Sequence, residues 1–190
     1  MRHFICACLL LGLAGTAAAD SAYTPVLGVY LINDQLTMSQ HGVIPSDTGT
    51  TGLGLGLLLD GGGNERLSAE YTDFDMGNKR QLQLIDIDVD HFFRLDSLPE
   101  PLRPFAGVAA GYGRLDFPAE DGLSGERSEH LSYGLRLGAT WRINPKFDLE
   151  MGGRYLHAGL ATHPAGAATG AEFAVNADSS LWLGLEYRLR

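Results

Sequence analysis

The chain has 190 residues, with 14 lysines and arginines against 23 aspartates and glutamates, and a formal net charge of -9. That length suits one domain or one barrel, and the acidic balance excludes the basic surface that nucleic-acid binding needs. Hydrophobic residues make up 45% of the chain, which excludes a wholly disordered protein. The 25 glycines follow no Gly-X-Y repeat, which excludes collagen.

Residues 1–19 have the three parts of a secretory signal peptide. Arg2 supplies the positive start, residues 4–14 form an apolar run, and the alanines at 17–19 predict cleavage before Asp20. The run is shorter than the ~18 residues of a spanning helix, so a membrane anchor is less favoured. A lipoprotein is less favoured still, because Cys6 and Cys8 lie inside the apolar run and not after a small-residue site. Cleavage also removes both cysteines, which excludes a disulfide, a cysteine zinc site and a cysteine nucleophile from the mature chain.

Alternation of apolar and polar residues dominates the mature chain. In segment 129–143, Leu131, Tyr133, Leu135 and Leu137 alternate with polar residues and glycine. A period of two places the two sets on opposite faces of a strand. Similar segments predict eight strands, at residues 24–33, 50–60, 65–75, 80–94, 103–116, 129–143, 146–158 and 176–190.

One predicted strand, 80–94, contains a change of phase. Leu82 and Leu84 fall on the face opposite to that of Ile85 and Ile87. An extra residue in one strand restores the alternation, so the pattern predicts a β-bulge near Leu84 and Ile85.

The connections between the predicted strands alternate in length. Short turns are predicted at 60–64, 96–101 and 144–145. Long loops are predicted at 34–49, 117–128 and 159–175. The connection 75–79 is the exception, being short where a long loop is expected. Eight antiparallel strands in this order predict an all-β, up-and-down closed barrel, with residues 20–190 as a single domain.

Alternation alone leaves open which face of the barrel is inside, because a lipocalin-like carrier buries its apolar face and an outer-membrane barrel exposes it to lipid. The alternating loop lengths favour the membrane barrel. A second indication is glycine on the polar face, where it relieves crowding in a narrow lumen, at Gly134, Gly138, Gly152 and Gly184. A third is the set of aromatic residues expected in interfacial girdles, Phe105, Phe117, Trp141, Phe147, Tyr155 and Tyr187.

Two stretches carry a resemblance to a known family. Residues 183–189, Leu-Gly-Leu-Glu-Tyr-Arg-Leu, and residues 132–155 resemble the small OmpA-like, opacity-type outer-membrane barrels. The resemblance implies an eight-stranded transmembrane barrel in the bacterial outer membrane, inserted by the barrel-assembly machinery. Members of that family usually end in an aromatic residue, whereas this chain ends in Arg190.

Charged residues on the polar face are expected to converge in the lumen and to pair, because a buried unpaired charge costs several kcal/mol. This predicts an ion network that plugs the barrel, with a narrow conduit as the alternative. The predicted members are Glu70, Asp86, Asp88, Asp90, Arg114, Arg136, Glu150, Arg154, Glu186 and Arg188. Same-face neighbours along a strand lie ~6.5 Å apart, too far for three aspartates to share one calcium, so we expect arginine pairing and no metal.

One short motif suggests chemistry. His130 and Ser132 resemble the His-x-Ser of outer-membrane lipid A deacylases, whose catalytic residues face lipid. Here both residues share the phase of Arg136, the lumen side, and no acid partner is evident. We therefore expect no catalytic site, and no cofactor.

The sequence thus favours a structural or surface-interacting outer-membrane protein. Outer-membrane lipid and lipopolysaccharide are the expected partners, together with a possible surface ligand of the long loops, and nucleic acid is excluded. Two alternatives stay open at this stage: a lipid A-modifying enzyme and a soluble periplasmic lipocalin-like carrier.

Overall fold

The computed structural model describes residues 23–40, 46–75, 81–116, 127–163 and 173–189, which form eight β-strands. The predicted signal peptide, Phe117 and Arg190 lie outside the described residues. The strands are β1 Thr24–Gln40, β2 Ser46–Asp60, β3 Glu65–Asp75, β4 Gln81–Phe92, β5 Leu102–Asp116, β6 Arg127–Asn144, β7 Phe147–His163 and β8 Phe173–Arg188.

Each strand pairs antiparallel with its neighbours in sequence, and β1 also pairs with β8. The seam between β1 and β8 runs from Val26 opposite Arg188 to Gln40 opposite Phe173. No open edge therefore exists among these strands, and the predicted closed up-and-down barrel is confirmed. No helix in the described part of the chain is long and apolar enough to cross a membrane.

The barrel has two different ends. At the turn end, residues 61–64, 93–101 and 145–146 connect the strands. At the opposite, loop end, two connections are shorter than the predicted loops 34–49 and 159–175. β1 and β2 stay paired from Asp34 opposite Thr50 to Met38 opposite Ser46, and β7 extends to His163 while β8 begins at Phe173. Backbone hydrogen bonding extends the ladder beyond the point where side-chain alternation makes the strands visible in the sequence.

The predicted bulge in β4 is wrong. Pairing of β4 with β3 and with β5 is unbroken along the strand. Leu82 and Leu84 point inward, on the same face as Asp86, because the lumen is apolar at the loop end and charged deeper down. There they join Phe74 and Leu115 in a buried apolar cluster. Irregular register occurs instead between β6 and β7 and between β1 and β8.

The outer surface of the barrel is an apolar belt. On β6, Leu135 and Leu137 are 65% and 63% exposed, while Arg136 between them is 1% exposed. Val29, Leu55 and Ile87 show the same outward exposure on other strands. The apolar faces of the strands therefore turn away from the lumen, as expected for a barrel surrounded by lipid.

Most of the predicted girdle aromatics lie on this outer face, with one exception. Trp141 is 47% exposed and Tyr155 is 57% exposed, and the Phe147 ring lies 5.2 Å from that of Tyr187. Phe105 is instead 2% exposed and faces the lumen. Its assignment to a girdle is wrong, because glycine and alanine obscure the phase of β5.

Candidate functional site in the barrel lumen

Arg136 of β6 is the centre of the charged lumen. Its Nη1 lies 3.2 Å from Glu70 Oε1 and also contacts the Asp88 carboxylate, and its Nη2 lies 3.2 Å from Glu150 Oε1. Its Nε lies 3.3 Å from Asp90 Oδ1. One guanidinium thus links carboxylates from β3, β4 and β7, so these strands are connected across the interior as well as through the sheet.

Arg66 of β3 makes a second centre. Its Nη2 lies 2.8 Å from Asp90 Oδ2, and its Nη1 lies 2.6 Å from Glu150 Oε2 and 3.0 Å from Glu186 Oε1. The side chain is 3% exposed. Arg66 and Arg136 therefore share Asp90 and Glu150, and the two sets form one central ion network.

Arg154 of β7 lies toward the loop end. Its Nη1 is 2.7 Å from Asp86 Oδ2 and 3.9 Å from Glu70 Oε2, and its Nε donates to Ser180 Oγ at 2.9 Å. Through Glu70 it joins the central network. Each of the three aspartates of β4 therefore has an arginine partner, with Asp86 assigned to Arg154.

A separate cluster closes the turn end of the lumen. Arg188 contacts Asp60 at 2.8 Å and Asp148 at 2.7 Å. Arg103 lies 3.5 Å from Asp60, and Arg142 lies 3.3 Å from Asp148. Arg142 is 40% exposed, so this cluster is in contact with solvent at its outer edge.

Aromatic side chains fill the space between the charges. The guanidinium of Arg136 lies 4.8 Å from the Trp182 ring, and that of Arg66 lies 4.9 Å from the Phe105 ring. Trp182 Nε1 donates to Glu150 Oε1 at 2.9 Å, and the Tyr30 hydroxyl donates to Glu186 Oε1 at 3.1 Å. These rings hold the guanidinium planes by cation–π contact. Their polar groups add a second donor to carboxylate oxygens that Arg136 and Arg66 already contact.

Glycines on the inner face make room for these rings. A Cβ added at Gly138 would lie 2.5 Å from Phe105 Cζ, and one added at Gly152 would collide with the Trp182 ring. At Gly184 it would collide with Tyr30. An aromatic ring therefore fills the space beside each of these glycines, as the prediction that glycine relieves crowding in the lumen requires.

Arg114 is the predicted member that lies outside the network. It is on the outward face of β5, 28% exposed, with Nη2 2.9 Å from Asp116 Oδ2. Arg127 binds the same aspartate at 3.0 Å. The expectation of a lumen position is corrected, because the inward phase of β5 is carried by Gly111, Gly113 and their odd-numbered neighbours.

Several lumen residues escaped the sequence analysis. Arg66 continues the inward phase of Ser68 and Glu70 by one step and could have been found by extending that alternation. Asp34 was placed in a loop, although it is fully buried in β1. Sequence reasoning also missed three other buried residues that bind or face lumen charges, Tyr30, Asp60 and Asp178.

His130 and Ser132 face the lumen, as their phase predicted. They are 2% and 5% exposed, and neither His130 Nδ1 nor Ser132 Oγ has a hydrogen-bond partner. The hydrolytic arrangement needs a hydroxyl that hydrogen-bonds to the imidazole and a surface that substrate can reach. Neither condition is met at this pair.

No protein-family model and no curated protein matches the sequence. Several solved structures do match the chain. Neisserial surface protein A is 16% identical, covers 89% of this chain and 98% of its own, and superposes with a TM-score of 0.63. Ail, the attachment invasion locus protein of Yersinia pestis, is 13% identical with a TM-score of 0.55, covering 88% of this chain and 99% of its own.

The outer membrane protein OprG from Pseudomonas aeruginosa is also 13% identical, covers 90% of this chain and 97% of its own, and has a TM-score of 0.55. At these identities the likeness establishes the fold. The chain folds as a small eight-stranded transmembrane barrel of the outer-membrane type, and the resemblance found in its sequence is confirmed at that level.

Proposed function

We propose that the protein is an integral outer-membrane barrel, closed to solutes by its central ion network, that acts through its loop end. The observation that carries the proposal is Arg136, which contacts four carboxylates from three strands at 1% exposure. Side chains that meet across an eight-stranded barrel fill its interior. A lumen filled in this way favours a structural or surface-binding role over transport.

The surroundings of the barrel follow from its outer face. We propose that outer-membrane lipid covers the apolar belt, that lipopolysaccharide surrounds the loop end, and that the barrel-assembly machinery inserts the exported chain after removal of the signal peptide. Support comes from the outward Leu135 and Leu137 and from the barrel neighbours. A surface ligand is proposed for the connections 41–45, 117–126 and 164–172, because only that end reaches an outside partner.

Planar bilayer recordings test the plug. We expect no steady, porin-sized conductance from the intact protein, and the same result from Arg142→Ser, which changes an exposed cation outside the central network. Steady large channels from the intact protein would overturn the closed lumen. Heat-modifiable migration of the same sample in detergent gels establishes that the protein tested is a folded barrel.

A shortened variant tests the surface role. Replacing the three connections with tight turns is expected to leave heat-modifiability intact and to abolish binding to any surface ligand of the full chain. Binding that persists in the shortened barrel would move the active surface elsewhere.

Two alternative functions have their own tests. A soluble carrier would be released from membranes without detergent. We expect no such release, because the apolar belt favours a protein embedded in lipid. A lipid A-modifying enzyme changes the mass of lipid A when it is expressed, whereas we expect the lipid A mass spectrum to stay unchanged.

A further inference from the structure

Two carboxyl groups near the loop end of the lumen stand apart from the ion network. Asp34 of β1 pairs in register with Ser180 of β8, so Asp178 is its diagonal neighbour on the inner face. Diagonal neighbours on one face of a sheet are about 7–8 Å apart. The Asp34 carboxyl group interacts with that of Asp178 electrostatically and as a side-chain hydrogen-bonding partner.

These two carboxyl groups are buried and unpaired. Asp34 is 0% and Asp178 4% exposed, and none of their four oxygens has a hydrogen-bond donor. The arginine whose charge acts on both is Arg154. Its Nε donates to Ser180 and its Nη1 to Asp86, while its buried Nη2 has no hydrogen-bond partner and donates to neither carboxyl group. Two bare carboxylates in contact at such burial are strongly destabilising without a further positive charge.

The other strands around the pair add no further arginine or lysine among the described residues. β6 contributes His130, 2% exposed, with an unpartnered Nδ1 and an imidazole on which the charge of Asp178 acts. β4 contributes Asp86, and β3 contributes Glu70, each already bound to an arginine. At this level β5 contributes the buried side chain of Leu115.

The charge balance of the whole lumen points the same way. Among the described residues ten carboxylates are buried, against four buried guanidiniums, and the half-buried Arg103 and the exposed Arg142 raise the cations to six. Four negative charges are therefore left without a matching arginine. The Asp34 and Asp178 pair is the place where two carboxylates meet with no guanidinium between them.

We propose that Asp34 and Asp178 bind one proton between them near neutral pH, as a hydrogen-bonded acid–carboxylate pair beside a neutral His130. The proton supplies the missing donor and removes one of the two like charges, because burial and like-charge repulsion both oppose ionisation of the two groups together. A proton fits better than a metal ion, because the described residues contain no group of three or more acidic, histidine or cysteine side chains arranged around a metal.

The position of the pair gives the proton a structural effect. β1 and β8 are the first and last strands, and their pairing closes the barrel. The register at this seam is irregular between Thr37 and Met38, just beyond the pair toward the loop end. Loss of the proton at alkaline pH leaves two facing carboxylates across the seam. Their repulsion weakens the pairing of β1 with β8, so the stability of the seam depends on pH.

Infrared spectroscopy of the full chain in lipid vesicles tests the proton directly. We expect a protonated-carboxyl C=O band near neutral pH that is lost in both Asp34→Asn and Asp178→Asn. Asp116→Asn, on the outer face, is the matched control and is expected to keep the band. Retention of the complete band in both lumen variants would overturn the proposal.

Urea unfolding as a function of pH gives a second, independent readout. An aspartate of the unfolded chain loses its proton at mildly acidic pH, whereas the folded pair keeps its proton to a higher pH. Folding therefore takes up one proton in the pH range between these two deprotonations. The folding equilibrium constant is then expected to fall about tenfold per pH unit as pH rises through this range. In Asp34→Asn that part of the pH dependence is expected to disappear.

The same titration separates the proton from a metal ion. Stability that depends on added sodium, calcium or magnesium at fixed pH, and not on pH, would overturn the proposal. If neither asparagine variant folds, the intact protein still tests the proposal. An acid C=O band that disappears as the pH is raised supports the shared proton. A band that persists at every pH, or is absent at every pH, overturns the proposal.

Discussion

The two faces of β6 show how differently lipid and lumen act on neighbouring residues. Leu135 and Leu137 are about two-thirds exposed, while Arg136 between them is almost completely buried. In a water-soluble protein these exposures would be reversed. The outer face needs only apolar side chains that lipid can cover, so it tolerates many sequences. The lumen needs specific partners, because each charge there must be matched by another.

The lumen itself changes along the barrel axis. At the loop end, β3, β4 and β5 contribute the apolar Phe74, Leu82, Leu84 and Leu115, whereas the middle is held by arginines and carboxylates. The apolar layer packs like the core of a soluble domain. The charged layer depends on exact pairing, so we expect it to be far less tolerant of single changes than either the apolar layer or the outer belt.

Arg136→Met is expected to have the largest effect. It leaves Glu70, Asp88, Asp90 and Glu150 without the guanidinium they share, and breaking a buried ion pair from one side costs about 3–5 kcal/mol. The free energy of unfolding in lipid vesicles measures the loss. Arg142→Met, which removes a 40% exposed arginine, is the matched control and is expected to cost far less. Equal losses would mean that the network does not stabilise the barrel.

Leu137→Arg tests the outer face. A cation on the lipid side near the membrane midplane costs about 2–4 kcal/mol, and one near the interface costs about 0–1 kcal/mol. Gln35→Arg, on the outward face of β1 at the loop end, supplies the interfacial control. Leu137→Arg with unchanged stability in vesicles would show that this face does not contact lipid.

Gly138→Ala tests how closely the lumen is packed. The added methyl would lie 2.5 Å from the Phe105 ring, and overpacking of this kind costs about 1–3 kcal/mol. Gly63→Ala is the control, because nothing lies within 4 Å of a Cβ added there. The same unfolding measurement is expected to separate the two variants, and identical stabilities would indicate that the lumen has spare room.

A double-mutant cycle gives the smallest and most specific effect. The sequence predicts that Arg154 and Glu150 belong to one network, which they join through Glu70 and Arg136, but the direct partner of Arg154 is Asp86 at 2.7 Å. Removing both members, as Arg154→Met with Asp86→Leu, is expected to be less damaging than Arg154→Met alone. The coupling energy is expected to be about 0.5–3 kcal/mol, and a cycle with no coupling would remove this pair from the network.

Sequence alternation predicted eight strands, their order and the faces of most of them. It worked on β6 and β8, where large apolar residues mark the outward positions in the middle of the strand, as at Leu135 and Leu137 on β6 and at Leu183 and Leu185 on β8. It failed on β5, where glycines and alanines at both phases hid the fact that Phe105 points in and Arg114 points out. It also failed at Leu82 and Leu84, because a period of two cannot distinguish a bulge from an apolar layer inside the lumen.

By itself the sequence determined the barrel and which residues share a face, because burial against lipid or lumen repeats every two residues along a strand. Only the tertiary structure decided which charges meet. Arg66 and Glu186 lie 120 positions apart and still form a hydrogen bond, and Asp34 and Asp178 are brought to neighbouring positions across the seam. Such contacts depend on how far each strand is shifted against the next when the barrel closes, and that shift is the sum of eight registers that no single segment contains.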